Sequence, residues 1–442
     1  MQTIPAELVS KIFVHCLDTE SDFITPNPHH APLLLTQVCA SWRERAINST
    51  ELWCSLHVSV RDCADSSELR AQRAVALLQS WLSRAGAHPL ALSMRLEYRK
   101  KSELSNYVPL LRSFIPQCRI LSLGAICDWL PPLLSGLHCP MLESLELRNV
   151  TEAYPFDSPL HAPSLQRLRL SGNIEWTIES IRFPRSQLRE LQWSYYFRKR
   201  EILHILPQYT SLAKCRVTIP REVTLDKVPA SELPLLRALE VNALHERDGR
   251  NFAKFLALFL APSLQELRLV PTNLDVGFSF CLPSAASLRR FLVRSDCRLT
   301  ELRTELWLSF ARDVEQFREL LLAMLHLERL HIDGVNDHFC REKTGFSDIC
   351  DYLAYAPTGE SQQTLLPQLT DFTINGVADR HDMSLDRMLR SRIRGTASAQ
   401  DGRVYLGRFY ILVVPSSSLA DRMEWTGPKD GDILKSRQME HL

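Results

Sequence analysis

One apolar motif, L-x-x-L-x-L, recurs between residues 118 and 374 and limits what this chain can fold into. It occurs ten times when another apolar residue is allowed in place of a leucine, and a proline often stands two residues before it. Its first positions are Cys118, Leu142, Leu165, Leu188, Leu212, Leu236, Leu264, Leu288, Leu327 and Leu369. Successive first positions lie 24, 23, 23, 24, 24, 28, 24, 39 and 42 residues apart. Such a period indicates a repeat architecture, in which each unit buries its apolar face against its neighbours.

The unit length resembles that of leucine-rich repeats. Seven of the nine spacings fall within that class's range of roughly 20–29 residues. The alternating core of each motif predicts a short strand whose leucines point inward. We therefore expect an α/β protein, built largely as an irregular leucine-rich-repeat solenoid with a parallel sheet on its concave side. Helices are expected at 251–261, 313–325 and 347–355, and insertions near 295–326, long enough for two helices, and near 333–366.

The N-terminal segment has a different pattern, typical of short helices. Pro5 suits the first position of a helix, and Leu8, Ile12 and Phe13 then form one apolar stripe. A break containing three prolines follows at 18–32. A second helix is predicted from apolar residues at every fourth position, namely Leu34, Val38, Trp42 and Ala46.

A third short segment of this N-terminal part carries Leu52 and Trp53. Three short helices cannot bury all of these apolar side chains among themselves, because so small a module has little interior. Apolar surface left over on a helical module predicts a groove for a partner.

These blocks, taken in order, resemble the F-box-like domain in its fungal-type form. The resemblance covers about the first 56 residues. It rests on three blocks, Ile4-Pro5-x-Glu7-Leu8-x-x-x-Ile12-Phe13, Val38-Cys39-x-x-Trp42-Arg43 and Leu52-Trp53. Two features depart from the family pattern: Ile4 stands where leucine is usual, and the 18–32 loop is long.

The resemblance implies docking to the Skp-type adaptor of a cullin ubiquitin ligase. The residues that it assigns to this contact are Ile4, Pro5, Leu8, Ile12, Val38, Cys39 and Trp42, while Phe13 and Trp53 would hold the module together. The alternative is that all of these residues form the core of an N-terminal cap for the solenoid.

The expected organisation has four parts. They are an F-box-like helical module at 1–58, a linking helix and first strand at 59–97, the repeats at 98–395, and a closing strand with a polar tail at 396–442. Within them, a helix is predicted at 67–85 with Gly86 at its end, a strand that opens the sheet at 89–96, and the closing strand at 403–414. The helix and strand of the linking part are also common in the F-box-like family.

The concave face offers a candidate site for a client protein. Its basic residues are Arg148, Arg167, Arg169, Lys214 and Arg216, which could converge and bind an acidic or phosphorylated segment. Glu146 and Glu190 reduce the positive charge of this set. The alternative is a solvated face of mixed charge.

Charge and composition favour some classes of protein over others. The chain has 52 Lys and Arg against 51 Asp and Glu, a net charge of +1, which does not favour nucleic acid or membrane surfaces as partners. Neither a signal peptide nor an apolar run of membrane-spanning length is present, so a cytoplasmic or nuclear location is expected. The twelve cysteines include no C-x-x-C pair and are expected to be reduced, buried thiols.

No familiar catalytic motif occurs in the sequence. A G-x-S-x-G elbow, a phosphate-binding loop and a G-x-G-x-x-G turn are all missing. We therefore expect a non-catalytic protein without cofactor or metal: a substrate-recognition adaptor of a Skp-cullin-F-box ubiquitin ligase, whose partners carry out ubiquitin transfer. Two alternatives remain open, a leucine-rich-repeat scaffold without ligase coupling and, with least support, a hydrolase in the C-terminal third.

Overall fold

The chain forms two compact units, Met1–Tyr196 and Phe197–Leu442, which are described one at a time. The computed structural model describes residues 5–18, 21–61, 68–97, 107–125, 130–150, 157–172, 181–194, 206–219, 231–243, 250–271, 285–306, 311–335, 350–354, 365–377, 383–392, 408–413, 421–426 and 435–438. Each unit contains parallel strands and helices. The α/β class expected from the sequence is therefore confirmed.

The helices of the first unit begin with the predicted N-terminal group. They are α1 (Ala6–His15), α2 (Leu35–Val38), α3 (Ala40–Asn48), α4 (Glu68–Arg84), α5 (Tyr107–Phe114) and α6 (Leu130–Leu134), with a 3₁₀ turn at Thr50–Trp53. The helix predicted at 67–85 is confirmed as α4. Gly86 follows it with φ of +61°, the left-handed conformation that glycine adopts at helix ends.

The second N-terminal helix differs from its prediction. The stripe from Leu34 to Ala46 predicted one helix, but the chain is extended at Cys39, with φ of −158° and ψ of 171°, which divides it into α2 and α3. Cys39 is the N-cap of α3, and its Sγ accepts a hydrogen bond from the Trp42 backbone N–H at 3.4 Å. An extended capping residue is the normal way to begin a new helix, and apolar spacing alone does not reveal it.

The strands of the first unit follow the repeat motif. They are β1 (Ser55–Arg61), β2 (Leu90–Glu97), β3 (Cys118–Ala125), β4 (Ser144–Val150), β5 (Leu160–His161), β6 (Arg167–Gly172), β7 (Ile181–Arg182) and β8 (Glu190–Ser194). β1, β2, β3, β4, β6 and β8 are hydrogen-bonded in that order, all parallel, while β5 and β7 form a separate short pair.

The sheet opens one strand earlier than predicted. The strand expected at 89–96 is confirmed as β2, but it is not the first, because β1 pairs with it in parallel. The free edge of β1 is partly covered by the 18–32 loop, since the His57 backbone N–H donates to the Ile24 carbonyl at 2.7 Å. Covering an edge in this way protects it from pairing with another chain.

The N-terminal helices pack directly on the beginning of the sheet. The Trp53 indole lies edge-on to Trp81 of α4, with ring centroids 4.8 Å apart, and the Arg84 guanidinium lies 4.4 Å from the centre of the Trp53 ring. Trp81 Nε1–H donates to the Ser55 carbonyl at 3.2 Å. Helices α1–α3 therefore share a core with α4 and β1. This core continues past residue 58, where the sequence predicted the end of the helical module.

The helices of the second unit lie between strands. They are α7 (Arg250–Ala257), α8 (Ala285–Ser295), α9 (Ala311–Leu322) and α10 (Met383–Arg392), and residues 350–353 are also helical. The helices predicted at 251–261 and 313–325 are confirmed as α7 and α9, each with its C-terminal end earlier than predicted. Of the helix predicted at 347–355, residues 347–349 and 355 lie outside the described residues.

The strands of the second unit continue the parallel arrangement. They are β9 (Lys214–Ile219), β10 (Ser231–Glu232), β11 (Ala238–Ala243), β12 (Phe259–Leu260), β13 (Glu266–Pro271), β14 (Glu301–Leu306), β15 (Arg329–Val335), β16 (Asp371–Val377), β17 (Arg408–Val413), β18 (Asp421–Thr426) and β19 (Lys435–Gln438). From β9 through β11, β13, β14, β15 and β16 to β17, neighbouring strands are parallel. β10 and β12 form a separate pair.

The C-terminal segment was predicted incorrectly in part. The closing strand expected at 403–414 is confirmed as β17, but the polar tail contains two further strands, β18 and β19. β18 pairs antiparallel with β17, and β19 pairs antiparallel with β18. Phe409 and Ile411 of β17 stand opposite Trp425 and Met423 of β18. These two apolar residues alternate along β18, which is a strand pattern that the polar surroundings obscure.

Nine of the ten motif copies form strands, and the eighth, at 288, does not. Residues 288–293, predicted as a strand, instead lie within α8, where Leu288, Phe291 and Leu292 are buried and Val293 is 65% exposed. Phe291 and Leu292 follow Leu288 by three and four residues, which is the spacing of a helix face. In an alternating strand, Phe291 and Leu292 would point to opposite sides.

The strand of the eighth repeat is β14, in which Leu302 is fully buried. The prediction of two helices between 295 and 326 is therefore wrong, because the described residues of this segment form one strand and α9.

Candidate functional site

A cluster of large apolar side chains is exposed on the N-terminal helices. Leu8 and Ile12 of α1, Leu34 just before α2, Val38 at the end of α2 and Trp42 of α3 are each between 37% and 55% exposed. We call these five residues the helical apolar surface. Exposed apolar side chains gathered on one small module are characteristic of an interaction site.

The remaining residues of the predicted adaptor contact are placed as follows. Pro5 and Cys39 are exposed, and Ile4 lies outside the described residues. Pro5 caps α1, and its carbonyl accepts hydrogen bonds from the backbone N–H groups of Leu8 and Val9 at 3.1 and 3.2 Å. Leu34 was not assigned to the contact from the sequence, although its place four residues before Val38 is the signal that could have included it.

The opposite side of these helices is buried. Phe13, Ala46, Leu52 and Trp53 have no exposed surface. The Phe13 and Trp42 ring centroids lie 5.0 Å apart at 55°, so Trp42 is held against α1 while one side of its indole faces solvent. The apolar residues of the module are thus divided between an internal face and the helical apolar surface.

A second candidate surface lies on the first unit's sheet, on the side opposite its buried leucines. We call it the strand face of the first unit. Strand register defines three rows across it: Ser55, Ala91, Ile120, Ser144, Arg167 and Glu190; His57, Ser93, Ser122, Glu146, Arg169 and Gln192; and Ser59, Arg95, Gly124 and Arg148. Three predicted client-binding residues, Arg148, Arg167 and Arg169, lie here on β4 and β6.

Two of these arginines are paired with carboxylates. Arg148 donates from Nη2 to Glu146 Oε2 at 2.7 Å, and Arg169 lies 3.8 Å from Glu190. Glu146 Oε2 also accepts a hydrogen bond from Ser122 Oγ at 3.0 Å. Burial raises the pKa of Glu146, but the hydrogen bonds and charges of these neighbours, Arg148 foremost, outweigh it and hold the pKa below its ordinary value.

The other two predicted basic residues belong to the second unit. Lys214 and Arg216 lie on β9, and Arg216 Nη2 is 2.7 Å from Glu240 Oε2 on β11. The five basic residues predicted to converge are therefore divided between units, three in the first and two in the second.

The second unit's sheet carries an ion-pair network that sequence reasoning missed. Glu301 of β14 is only 7% exposed and lies between two arginines, with Arg268 Nη2 at 2.8 Å and Arg329 Nε at 2.9 Å. It was missed because 301–306 was not predicted as a strand. The signal is the apolar spacing of Leu299 and Leu302, which repeats the motif just after α8.

Glu301 is expected to make unfolding depend on pH. Burial raises the pKa of this carboxyl, but the hydrogen bonds and charges of Arg329 and Arg268 outweigh it, so the folded-state pKa lies below the ordinary 4.5. A lowered folded-state pKa stabilises the fold above the unfolded value, and this stabilisation disappears as pH falls through the folded value. Wild-type protein should therefore lose stability below pH 4.5 more steeply than Glu301→Gln.

Urea unfolding of both proteins across this pH range tests the expectation. Glu328→Gln is the matched control, because Glu328 is half-exposed and its distance from Arg329 is 4.0 Å. The control should keep the wild-type slope. Equal slopes for wild type and Glu301→Gln would contradict the assignment.

Buried thiols of the described cysteines are poor nucleophiles. Burial raises the pKa of Cys139 and of Cys215 to about 12, so both remain protonated at neutral pH. Within the described part of the chain, the cysteines form no disulfide, and no group of three or more His, Cys, Asp or Glu is placed to hold a metal ion. Among the described helices, none has the length and apolar character needed to cross a bilayer.

The two candidate surfaces differ in chemistry. The helical apolar surface offers aliphatic and aromatic contacts to a partner, whereas the strand face of the first unit offers arginines and a histidine. Compared along its whole length, the sequence matches no protein-family model and no curated protein.

Proposed function

We propose that this chain is the substrate-recognition adaptor of a Skp-cullin-F-box type ubiquitin ligase. In this proposal α1–α3 bind the Skp-type adaptor and the strands present a client protein. The single observation that carries the proposal is the helical apolar surface, with Leu8, Ile12, Leu34, Val38 and Trp42 exposed to water. Exposed apolar area is unfavourable by about 25 cal/mol per Å² until a partner covers it.

The position of this surface favours docking over a purely structural role. If α1–α3 were only a cap for the sheet, their apolar residues would be buried where the module packs against α4 and β1. Trp53 packs on Trp81 and Arg84 at that contact, while Leu8, Ile12, Val38 and Trp42 remain exposed. Leu8 and Ile12 stand one helical turn apart, the spacing with which a helix presents anchors to a partner's groove.

The sequence resemblance supports the same surface independently of burial. The order of the three F-box-like blocks assigns Leu8, Ile12, Val38 and Trp42 to the adaptor contact, and these four residues are exposed. Phe13 and Trp53, which the resemblance assigns to the interior, are fully buried.

The repeats complete the proposal by supplying a client surface. The motif period and the parallel register of the strands support a leucine-rich-repeat solenoid, in which the rows of outward residues form a concave binding face. Such an adaptor carries out no covalent chemistry. It holds a client lysine near the ligase machinery and so raises its effective concentration.

Binding of the full-length chain to a purified Skp-type adaptor tests this function. Leu8→Glu combined with Val38→Glu should weaken binding by more than about 100-fold, because charges are placed at two apolar anchors that a docked partner would desolvate. Both positions are about half exposed, so the fold itself should tolerate the change. Isothermal titration calorimetry gives the affinities, and circular dichroism checks that the variant is folded.

The matched control places the same charges on exposed apolar residues elsewhere. Leu77→Glu with Val293→Glu changes residues that are 72% and 65% exposed on α4 and α8. This control should bind the adaptor as the wild type does. If the folded wild-type chain does not bind the adaptor, the ligase function is excluded. The remaining function is then a protein-interaction scaffold without ubiquitin transfer.

A further inference from the structure

Two histidines from successive repeats face each other on the surface of the first unit. His138 and His161 stand at the same position of their repeats, four residues before Leu142 and Leu165. Their Nδ1 atoms are 2.8 Å apart, and both residues are exposed. They belong to the short ladder around β5, which is separate from the large sheet. Stacking of the repeats thus brings together two imidazoles that are 23 residues apart in the chain.

The backbone holds the two histidines in register. The His161 N–H donates to the Leu137 carbonyl at 2.9 Å, and the His161 carbonyl accepts from the Cys139 N–H at 2.8 Å. These bonds form a parallel bridge between His138 and His161. His161 is also fixed on its other side, because β5 pairs with β7 and places Arg182 beside it. Both imidazoles therefore extend from a backbone that hydrogen bonds hold in place.

The two imidazole rings are directed at each other through the same atom. Their centroids lie 4.9 Å apart with the ring planes 23° from parallel, while the two Nδ1 atoms lie 2.8 Å apart. The nitrogens therefore lie between the ring centres, and each Nδ1 points toward the other ring. A neutral pair makes this contact with one N–H donor and one acceptor nitrogen. Moving that one proton away leaves two nitrogen lone pairs beside a shared point.

The separation of the nitrogens suits two ligands of one metal ion. Because imidazole nitrogen lies about 2.0–2.1 Å from a divalent transition metal, two nitrogens at right angles around one ion are about 2.9 Å apart. Right angles between neighbouring ligands are typical of Cu²⁺ and Ni²⁺ in square-planar or tetragonal sites. The terminal torsion of histidine is broad, so a rotation of each ring directs both lone pairs at the ion.

We propose that His138 and His161 form a two-histidine site for a divalent transition metal ion of the copper or nickel type, bound through both Nδ1 atoms. The proton on one Nδ1 moves through solvent to Nε2 of the same ring, so both imidazoles stay neutral as metal ligands. Water completes the coordination of the exposed ion. The ion joins two successive repeats and stabilises the folded first unit. The site is independent of the ligase function, since it lies outside the helical apolar surface.

Titration of the full-length protein with Cu²⁺ tests the site, with the ion supplied as its glycine complex to suppress weak surface binding. Pulsed electron paramagnetic resonance with an equimolar amount of Cu²⁺ should show two coordinated imidazoles. His138→Gln or His161→Gln should weaken Cu²⁺ binding by about tenfold or more, because the second, intramolecular contact is lost. Circular dichroism checks that each variant is folded. A single coordinated imidazole in the wild type would overturn the site.

A matched control removes two exposed histidines elsewhere in the first unit. His29→Gln combined with His30→Gln changes neighbouring exposed residues of the 18–32 loop. This variant should bind Cu²⁺ as the wild type does. A loss of affinity equal to that of His138→Gln would show adventitious binding to surface histidines and overturn the site.

A second control separates metal binding from anion binding. Arg182→Gln removes the positive charge that stands beside His161 in the strand register. Cu²⁺ binding should be unchanged or tighter in this variant, because a neighbouring cation repels the ion. A loss as large as in His161→Gln would show that a bound anion is needed at the site, and would overturn the proposal.

Hydrogen exchange, followed by mass spectrometry, tests whether the ion joins the two repeats. Saturating Ni²⁺ should slow exchange of the Cys139 and His161 amides, whose hydrogen bonds link the two segments. His138→Gln should remove this protection. Mg²⁺ should give none in either protein, because it prefers oxygen ligands. Unchanged exchange of these amides in the wild type at saturating Ni²⁺ would overturn the proposed link between repeats.

Discussion

Replacing Trp53 by alanine should destabilise the first unit by about 3–5 kcal/mol, the usual range for removing a buried tryptophan. The indole is fully buried, and its Nε1–H donates to the Ala46 carbonyl at 2.8 Å. It also contacts Trp81 edge-on and lies under the Arg84 guanidinium. The substitution therefore removes packing between the N-terminal helices and the sheet and leaves a buried carbonyl without its donor.

Native-state hydrogen exchange of the β1 and β2 amides measures this loss for the first unit alone, since the two units need not unfold together. Trp53→Phe should cost less, because it keeps an aromatic ring and loses chiefly the hydrogen bond, worth about 1–3 kcal/mol for the carbonyl left unpaired. Leu77→Ala, at a side chain 72% exposed, should change stability by no more than about 0.5 kcal/mol. Equal effects of Trp53→Ala and Leu77→Ala would show that Trp53 does not join the helices to the sheet.

Replacing Arg392 by methionine should destabilise the second unit by about 3–5 kcal/mol, as expected when the partner of several buried polar groups is removed. Arg392 of α10 has no exposed surface, and its guanidinium donates to the carbonyls of Leu353, Leu365 and Leu366. Methionine fills most of the volume but cannot donate a hydrogen bond. Arginine suits the position because its planar fork carries five donors in fixed directions.

Arg387 provides a control for Arg392 on the same helix. It is paired with Asp351 at 2.9 Å, and its side chain is 66% exposed. Arg387→Met should therefore cost between about 0 and 1 kcal/mol. Hydrogen exchange at α10 and β16 distinguishes the two substitutions, and a loss in Arg387→Met as large as in Arg392→Met would contradict the role assigned to Arg392.

Two further arginines among the described residues are used in the same way. Arg112 of α5 donates to the Pro132, Leu133 and Ser135 carbonyls at the end of α6. Arg294 of α8 donates to the Leu256 carbonyl in the last turn of α7 and to the Phe259 carbonyl in β12, at 2.8 and 2.9 Å. Carbonyls at the end of a helix lack partners within it, so an arginine from a neighbouring helix satisfies them and joins successive repeats.

The substitutions that test stability and those that test binding lie on different sides of the same module. Trp53 belongs to its internal face, whereas Leu8 and Val38 belong to the helical apolar surface. A substitution at Trp53 should therefore reduce adaptor binding only as far as it unfolds the module. Substitutions at Leu8 and Val38 should reduce binding in a protein of nearly wild-type stability.

The repeat motif alone was enough to place nine of the strands and to indicate which of their residues face inward. The reason is local, because an alternating apolar motif that recurs at a regular spacing predicts one strand in each repeat. The burial of Phe13 and Trp53 was implied by the resemblance to the F-box-like domain, which assigns both residues to the interior of the module.

Packing was needed to choose between a helix and a strand at 288–293. Three apolar positions there fit both equally, and the burial of Leu292 selects the helix. The break at Cys39 and the strands at 421–426 and 435–438 depend on capping and on pairing with a distant edge. The register of the strands likewise determines which side chains come together in the ion-pair network of the second unit. Glu301 meets Arg268 and Arg329 only because strands far apart in sequence align residue against residue. That alignment is a property of the whole sheet, since each strand takes its position from both neighbours.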